Sequence, residues 1–243
     1  MLTERFEADE LDRSVWAPWY LPHWSSRAKS AATYQVGGGE LRLSIPADQG
    51  LWAAGVHPTP LRVSGIQSAN FAGPVGSTIG GQPFLDGQTV QEEQPEFWGC
   101  TPRYGHIEIR MRGVITPRSM VAFWLSGVED VPEHSGEICV MEVFGSRPQG
   151  IGMGLHRFRD PSLTEDWSVV DLPIDVSEFH VYAVEWRAGS LDFTVDGAHV
   201  KRVDQAPSYP VQLELAVFDF PDKADLVDGV PVPSLVVSEV TVS

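Results

Sequence analysis

Two glutamates five positions apart, Glu137 and Glu142, are the residues whose type and spacing most readily do chemistry in this sequence. They belong to the segment Ser135-Gly136-Glu137-Ile138-Cys139-Val140-Met141-Glu142-Val143-Phe144-Gly145. In a regular strand successive side chains alternate faces. Glu137 and Cys139 then share one face, while Glu142 falls on the other with Ile138 and Val140. A carboxylate buried unpaired among apolar side chains costs several kcal/mol or is forced neutral. One extra residue removes the conflict: a β-bulge at Val140-Met141 returns Glu142 to the Glu137 face.

Side chains four positions apart along a strand start about 13 Å apart at their Cα atoms. Long glutamate side chains leaning together close that gap to roughly 5–5.5 Å, the separation at which one carboxylate attacks an acetal carbon while the other moves the proton. Spacing alone also fits two solvated glutamates on a surface strand. Cys139 is a poor nucleophile, because no neighbouring histidine or cation in the segment would make it a thiolate.

The elements that must hold this segment read as strands. Glu108, Arg110 and Arg112 alternate with Ile107, Ile109 and Met111, and Glu40, Arg42 and Ser44 alternate with Leu41, Leu43 and Ile45. Residues 180–186 and 191–195 are rich in β-formers, and Asp196-Gly197 is a hairpin signal. Residues 235–242 read as a closing strand. Gly (23) and Pro (19) punctuate short segments throughout, and no long amphipathic helix stands out, although residues 222–227 could make one turn. The pattern predicts a single domain over residues 1–243, an all-β sandwich of two antiparallel sheets. Over residues 72–103 the strand signals fade, and Gly, Pro, Gln and Glu dominate. A loop of that length is expected to be either a surface insertion or a mobile flap beside a ligand cleft.

Charge narrows the partners. With 33 acidic and 17 basic residues the formal charge is −16, which repels phosphate backbones and anionic lipids. Neither nucleic acid nor membrane is an expected partner, whereas an uncharged polysaccharide meets no such barrier. No run is long and apolar enough to span a bilayer, and the first residues do not read as a secretory signal. A cytoplasmic protein or a secreted one with its leader removed fits equally. Cys100 and Cys139 make no disulfide framework, and free thiols are expected. A monomer is expected.

Five stretches, taken in order, resemble glycoside hydrolase family 16, the laminarinase and lichenase group. Gly136-Glu137-Ile138-Cys139-Val140-Met141-Glu142, followed by Gly145, is similar to that family's Gly-Glu-Ile-Asp-Ile-Met-Glu strand. Tyr104-Gly105-His106-Ile107-Glu108-Ile109-Arg110 and Ala122-Phe123-Trp124-Leu125 resemble two further strands. Phe179-His180-Val181-Tyr182-Ala183-Val184-Glu185-Trp186 matches another, and Asp196-Gly197 falls at its hairpin. The likeness runs from about residue 6 to the C-terminus.

The resemblance implies a concanavalin A-like jelly-roll sandwich. It implies a retaining endo-glycosidase that hydrolyses β-1,3- or mixed β-1,3/1,4-glucan by double displacement, with Glu137 as nucleophile and Glu142 as general acid/base. It places Trp124 at the cleft as a stacking platform and His156 beside the acid/base. Glu214 falls where many relatives carry Asn, and Trp98 is a weaker candidate for sugar binding. Cys139 stands where the family carries Asp, so the rate and pH optimum depart from the family pattern. That departure also favours an alternative, a catalytically silent, lectin-like carbohydrate-binding sandwich. Ser238 stands where a calcium-binding Asp would be expected, so neither a metal nor a cofactor is expected.

Overall fold

The computed structural model describes residues 1–224 and 230–243. In chain order the strands are β1 (Leu2–Glu4), β2 (Tyr34–Gly37), β3 (Glu40–Ser44), β4 (Arg62–Gln67), β5 (Ala69–Asn70), β6 (Phe97–Trp98), β7 (Gly105–Val114) and β8 (Ser119–Gly127). They continue with β9 (Glu137–Phe144), β10 (Gly150–His156), β11 (Asp166–Asp171), β12 (His180–Arg187), β13 (Ser190–Val195), β14 (Ala198–Val203), β15 (Val211–Asp219) and β16 (Ser234–Val242). Helix among the described residues is confined to a 3₁₀ turn at Pro22–Trp24 and α1 (Arg27–Ser30). Part of the turn expected at residues 222–227 lies outside the described residues.

Two antiparallel sheets carry the fold. One runs β14-β13-β12-β7-β16-β3-β2, with β1 added to β16; the other runs β11-β10-β9-β8-β15-β4. The closing strand β16 sits inside its sheet, between β7 and β3, so the end of the chain is locked by ladders on both sides. The hairpin at Asp196-Gly197 turns with positive φ at both residues (51° and 76°), the twist that a two-residue hairpin needs.

Alternation puts one face of each sheet into a shared core. Leu41, Leu43, Ile107, Ile109 and Met111 from one sheet meet Phe123, Leu125, Ile138, Met141 and Leu215 from the other, all fully buried. Each large apolar side chain so buried contributes about 1.5–3 kcal/mol. The opposite face of the six-stranded sheet is covered unevenly by loops. A second apolar cluster, with Leu21, Trp24, Trp52, Trp124 and Phe218, lies there.

The segment over residues 72–103 packs against the fold. Val90, Gln88 and Gln94 are buried. The backbone bonds to itself between Gly76 and Val90 and between Val90 and Ser77, and Gln91 bonds to His23. Gly80 lies so close to His23 and Trp24 that a Cβ there would meet their rings at 2.8–3.0 Å. Gln88, Gln91 and Gln94 each bond to a backbone group, so a polar composition still fills space, although the Gln88 amide nitrogen and the Ser77 hydroxyl have no partner among the described residues. Both cysteines are free, Cys139 in the interior and Cys100 half-buried.

Candidate active site

Strand β9 carries the irregularity that its sequence demands. Against β8 its register runs Glu137↔Ser126, Ile138↔Leu125 and Cys139↔Trp124, then skips to Met141↔Phe123 and Glu142↔Ala122. Against β10 the same shift falls between Gly154↔Cys139 and Gly152↔Glu142. Val140 is therefore the extra residue. Below it Ile138, and above it Met141 and Val143, point into the core, while Glu137, Cys139 and Glu142 share the open face.

That face is built in rows. Glu137 lies between His156 of β10 and Ser126 of β8, and the row continues to Gln212 of β15. Cys139 lies between Gly154 and Trp124, followed by Glu214 and then Gln67 of β4. Glu142 lies between Gly152 and Ala122. Six of the residues singled out from sequence, Glu137, Cys139, Glu142, Trp124, His156 and Glu214, thus stand on one surface. Trp98 does not join them. It sits on β6 opposite Ala69, is 45% exposed, and gives its indole N–H to Glu96 at 3.4 Å.

The long loop reaches into this surface through Gln82, whose backbone is left-handed (φ 51°). Its side-chain amide donates to Glu214 Oε2 at 2.6 Å and to Ser126 Oγ at 3.0 Å, and its carbonyl accepts from Trp124 Nε1 at 3.3 Å. Its backbone N–H donates to Glu129 at 2.5 Å, and Glu129 is paired with Arg159. Beside it opens a cleft of about 700 Å3 walled by Tyr20, Trp52, Phe84, Glu129 and Phe158. Ser135, two residues ahead of Glu137, also lines that cleft.

Burial sets the electrostatics. Glu137 is 7% exposed and its carboxyl is pushed well above the ordinary range, first by desolvation and then by the charges of Glu142 and Glu214. Glu142, half-buried, is raised by desolvation, and the Cys139 thiol and the His156 ring oppose that rise. Both carboxyls therefore keep a proton more readily than solvated glutamates do. Cys139 stays a thiol: burial and both glutamates push it up, and its Sγ donates to the Gly152 carbonyl at 3.4 Å. Glu214 is pushed up to about 7, mainly by burial, and its Oε1 has no hydrogen-bond partner among the described residues. His156 is held by Glu165 at 2.5 Å.

Several residues here escaped the sequence reading. Trp167 of β11 stacks on His156 with ring centroids 5.5 Å apart and an interplanar angle of 22°. Its indole lies across Gly152, where a Cβ would come within 2.6 Å of the ring. The N–H faces Glu142 and Cys139 without making a close hydrogen bond. The signal was the pair Gly152 and Gly154 within one strand, which marks a close approach by something large. Tyr20, tucked against Trp124 and Trp52, has its hydroxyl raised by burial and by Glu214, Glu137 and Glu142. Neither Tyr20 nor Gln82 carries a local signal, because only the fold brings them here.

Comparison with known proteins bears on the family and the fold. The family model described as glycosyl hydrolases family 16 matches residues 101–224. Among solved structures, the GlcNAcα1-4Gal-releasing endo-β-galactosidase from Clostridium perfringens superposes over 100% of this chain with a TM-score of 0.85 and 26% identity. This chain spans 61% of that protein's length. A laminarinase from Flavobacterium sp. UMI-01 is similar in fold (TM-score 0.70, 17% identity, 100% of this chain and 98% of that one). A lichenase from a mouse hindgut metagenome is too (TM-score 0.63, 19% identity, 98% and 96%). No curated protein matches the sequence. The family model takes in β7 through β15, including the bulged strand and both of its glutamates, and on that match the chain belongs to glycosyl hydrolases family 16 and is a glycoside hydrolase.

Proposed function

We propose that this chain is a retaining endo-glycosidase in which Glu137 is the nucleophile and Glu142 the general acid/base. The observation that carries the reading is the bulge at Val140, which sets both carboxyls on the face of β9 turned away from the core. Glu142 protonates the departing glycosidic oxygen as Glu137 attacks the anomeric carbon, giving a covalent glycosyl-enzyme. Glu142 then removes a proton from the incoming water, and the glycosyl–Glu137 bond breaks. A proton must sit on Glu142, and none on Glu137, at attack. His156 and the half-open setting of Glu142 give that proton a path to solvent, whereas Glu137 is deeper. Trp167 and the rim aromatics offer faces on which sugar rings stack, whereas Trp124, only 5% exposed and bonded to Gln82, is packed inside rather than open as the stacking platform expected of it, and Glu214 is as deeply buried.

The substrate in this reading is a β-linked hexose polysaccharide. A β-1,3- or mixed β-1,3/1,4-glucan follows the motif likeness and the laminarinase and lichenase folds. A β-galactoside is the second reading, favoured by the higher similarity over the whole chain to the endo-β-galactosidase. Purified protein is to be assayed on laminarin, lichenan and a β-galactan, with the anomer of the first product followed by NMR. Retention on one substrate, lost in Glu137→Gln, is the expected result. Inversion sinks the double displacement. Binding without any sugar release would point instead to a silent, lectin-like sandwich.

A further inference from the structure

A second cavity lies apart from the carboxylates, on the far side of the Leu21–Trp24 turn. It measures about 250 Å3, and its walls include Trp16, Trp19, Phe97, Arg13 and Arg27. Gln67 also lines it, at the end of the row that begins at Cys139. The first cleft and this cavity share no lining residue.

Two guanidinium groups and one carboxylate, that of Glu96, stand on the wall of this cavity. Arg13 and Arg27 both lie over the Trp19 ring, with guanidinium carbons 4.7 and 5.2 Å from its centroid. Each spends only its Nε, on the Trp16 carbonyl and on Gln94 respectively. Neither forms an ion pair within 4 Å among the described residues, a state they share with Arg42, Arg103, Arg110, Arg112 and Arg157. Glu92 takes the backbone N–H of Arg27, and Glu96 accepts from Trp98. Trp16 is fully buried, and its indole N–H has no partner among the described residues. Gln67 and Gln94 have committed both ends of their amides. What remains within reach of a ligand is the outer nitrogens of two guanidinium groups against the single carboxylate of Glu96, while the Trp16 indole N–H is enclosed by protein.

We propose that this cavity binds an acidic substituent, a carboxylate or a sulfate ester, carried on a sugar residue of an otherwise neutral glycan. Guanidinium forks match the planar oxygen pairs of such groups and bind them bidentately. Trp19 orders the two forks through cation–π contact, while the walls of Trp16 and Phe97 suit the apolar face of a pyranose. A net charge of −16 argues against a polyanion. It argues less against an isolated charge, because fields are screened beyond about 8 Å at physiological salt. The site does not depend on the roles given to Glu137 and Glu142.

The test follows the indole N–H signals of Trp16 and Trp19 by NMR, assigned by Trp→Phe variants, during titration with small glycosides. The probes are methyl β-glucuronide, a methyl galactoside sulfate, the neutral methyl glycosides and inorganic sulfate. The expected result is that an acidic glycoside shifts both signals, more weakly at high salt, and binds about tenfold less tightly to Arg27→Gln and Arg13→Gln, the loss of one charge-assisted contact. Whichever acidic glycoside binds more tightly identifies the substituent. Neutral glycosides that bind equally well, or arginine variants that bind like wild type, overturn the proposal. So does inorganic sulfate that matches the sulfated sugar. Glycan hydrolysis, measured on the same variants, should be unchanged, so failure here and failure of the catalytic reading are distinguishable.

Discussion

The two faces of β9 differ by one residue in register and by everything in chemistry. Ile138, Met141 and Val143 fill the core without a polar atom, while Glu137, Cys139 and Glu142 crowd charge and a thiol onto the opposite side. A strand without the bulge could not do both, since strict alternation puts Glu142 among the core side chains. The bulge leaves Val140 unpaired in the ladder and in exchange keeps two carboxyls on one face. The comparison teaches that the core fixes where the acids stand: the apolar face admits only one register, and the acids follow from it.

Exchanging the two residues that follow the bulge breaks that comparison most severely. The double variant Met141→Glu/Glu142→Met keeps the bulge and moves the carboxyl to the core-facing position. We expect a loss of several kcal/mol in unfolding free energy, the cost of burying an unpaired acid, together with loss of activity. A chain that keeps wild-type stability in urea and wild-type turnover would show that the register after the bulge is not what sorts the two faces.

Point changes on the acidic face come next. Glu137→Ala should lower kcat by roughly four orders of magnitude or more and be rescued by azide with inverted product stereochemistry. Glu142→Ala should cost roughly 10²–10⁴-fold on polysaccharide and much less on substrates with good leaving groups. Near-wild-type rates from the Glu137 variant would remove it from the nucleophile's role.

Glu214 sharpens the same contrast through pH. Its carboxyl is pushed up to about 7, so between the ordinary carboxylate range and pH 7 the folded chain holds a proton that the unfolded chain has lost. Stability from this group is therefore fullest at low pH and falls as pH rises through about 7. The loss approaches about 3 kcal/mol at full ionisation. Urea midpoints at about pH 5 and about pH 8.5 should differ in wild type and differ less in Glu214→Gln. An unchanged difference would mean that other groups carry the dependence.

The smallest effect is expected at Cys139. Its thiol stays neutral beside both glutamates. Cys139→Asp adds an ionisable group there, so a limb of the pH profile of kcat/KM should move by about one unit if the new group is charged, equivalent to about 1.4 kcal/mol. Superimposable profiles from a folded variant would show that position 139 is electrostatically silent.

The sequence by itself determined the class of fold and the bulge. Alternation in β3, β7 and β16 marks which side chains face the core, and a polar residue at the wrong parity can be reconciled only by one inserted residue. It also determined which acids, aromatics and histidine share β8, β9, β10 and β15, because strand periodicity is local. The tertiary structure alone decided what stands across from them. Gln82 and Tyr20 arrive from loops whose own residues carry no periodic signal, and Trp98, just as aromatic as Trp124, ends on an exposed two-stranded edge. The pKa values are tertiary as well. Nothing in the letters separates a solvated glutamate from Glu214, whose proton affinity comes from the side chains that exclude water around it.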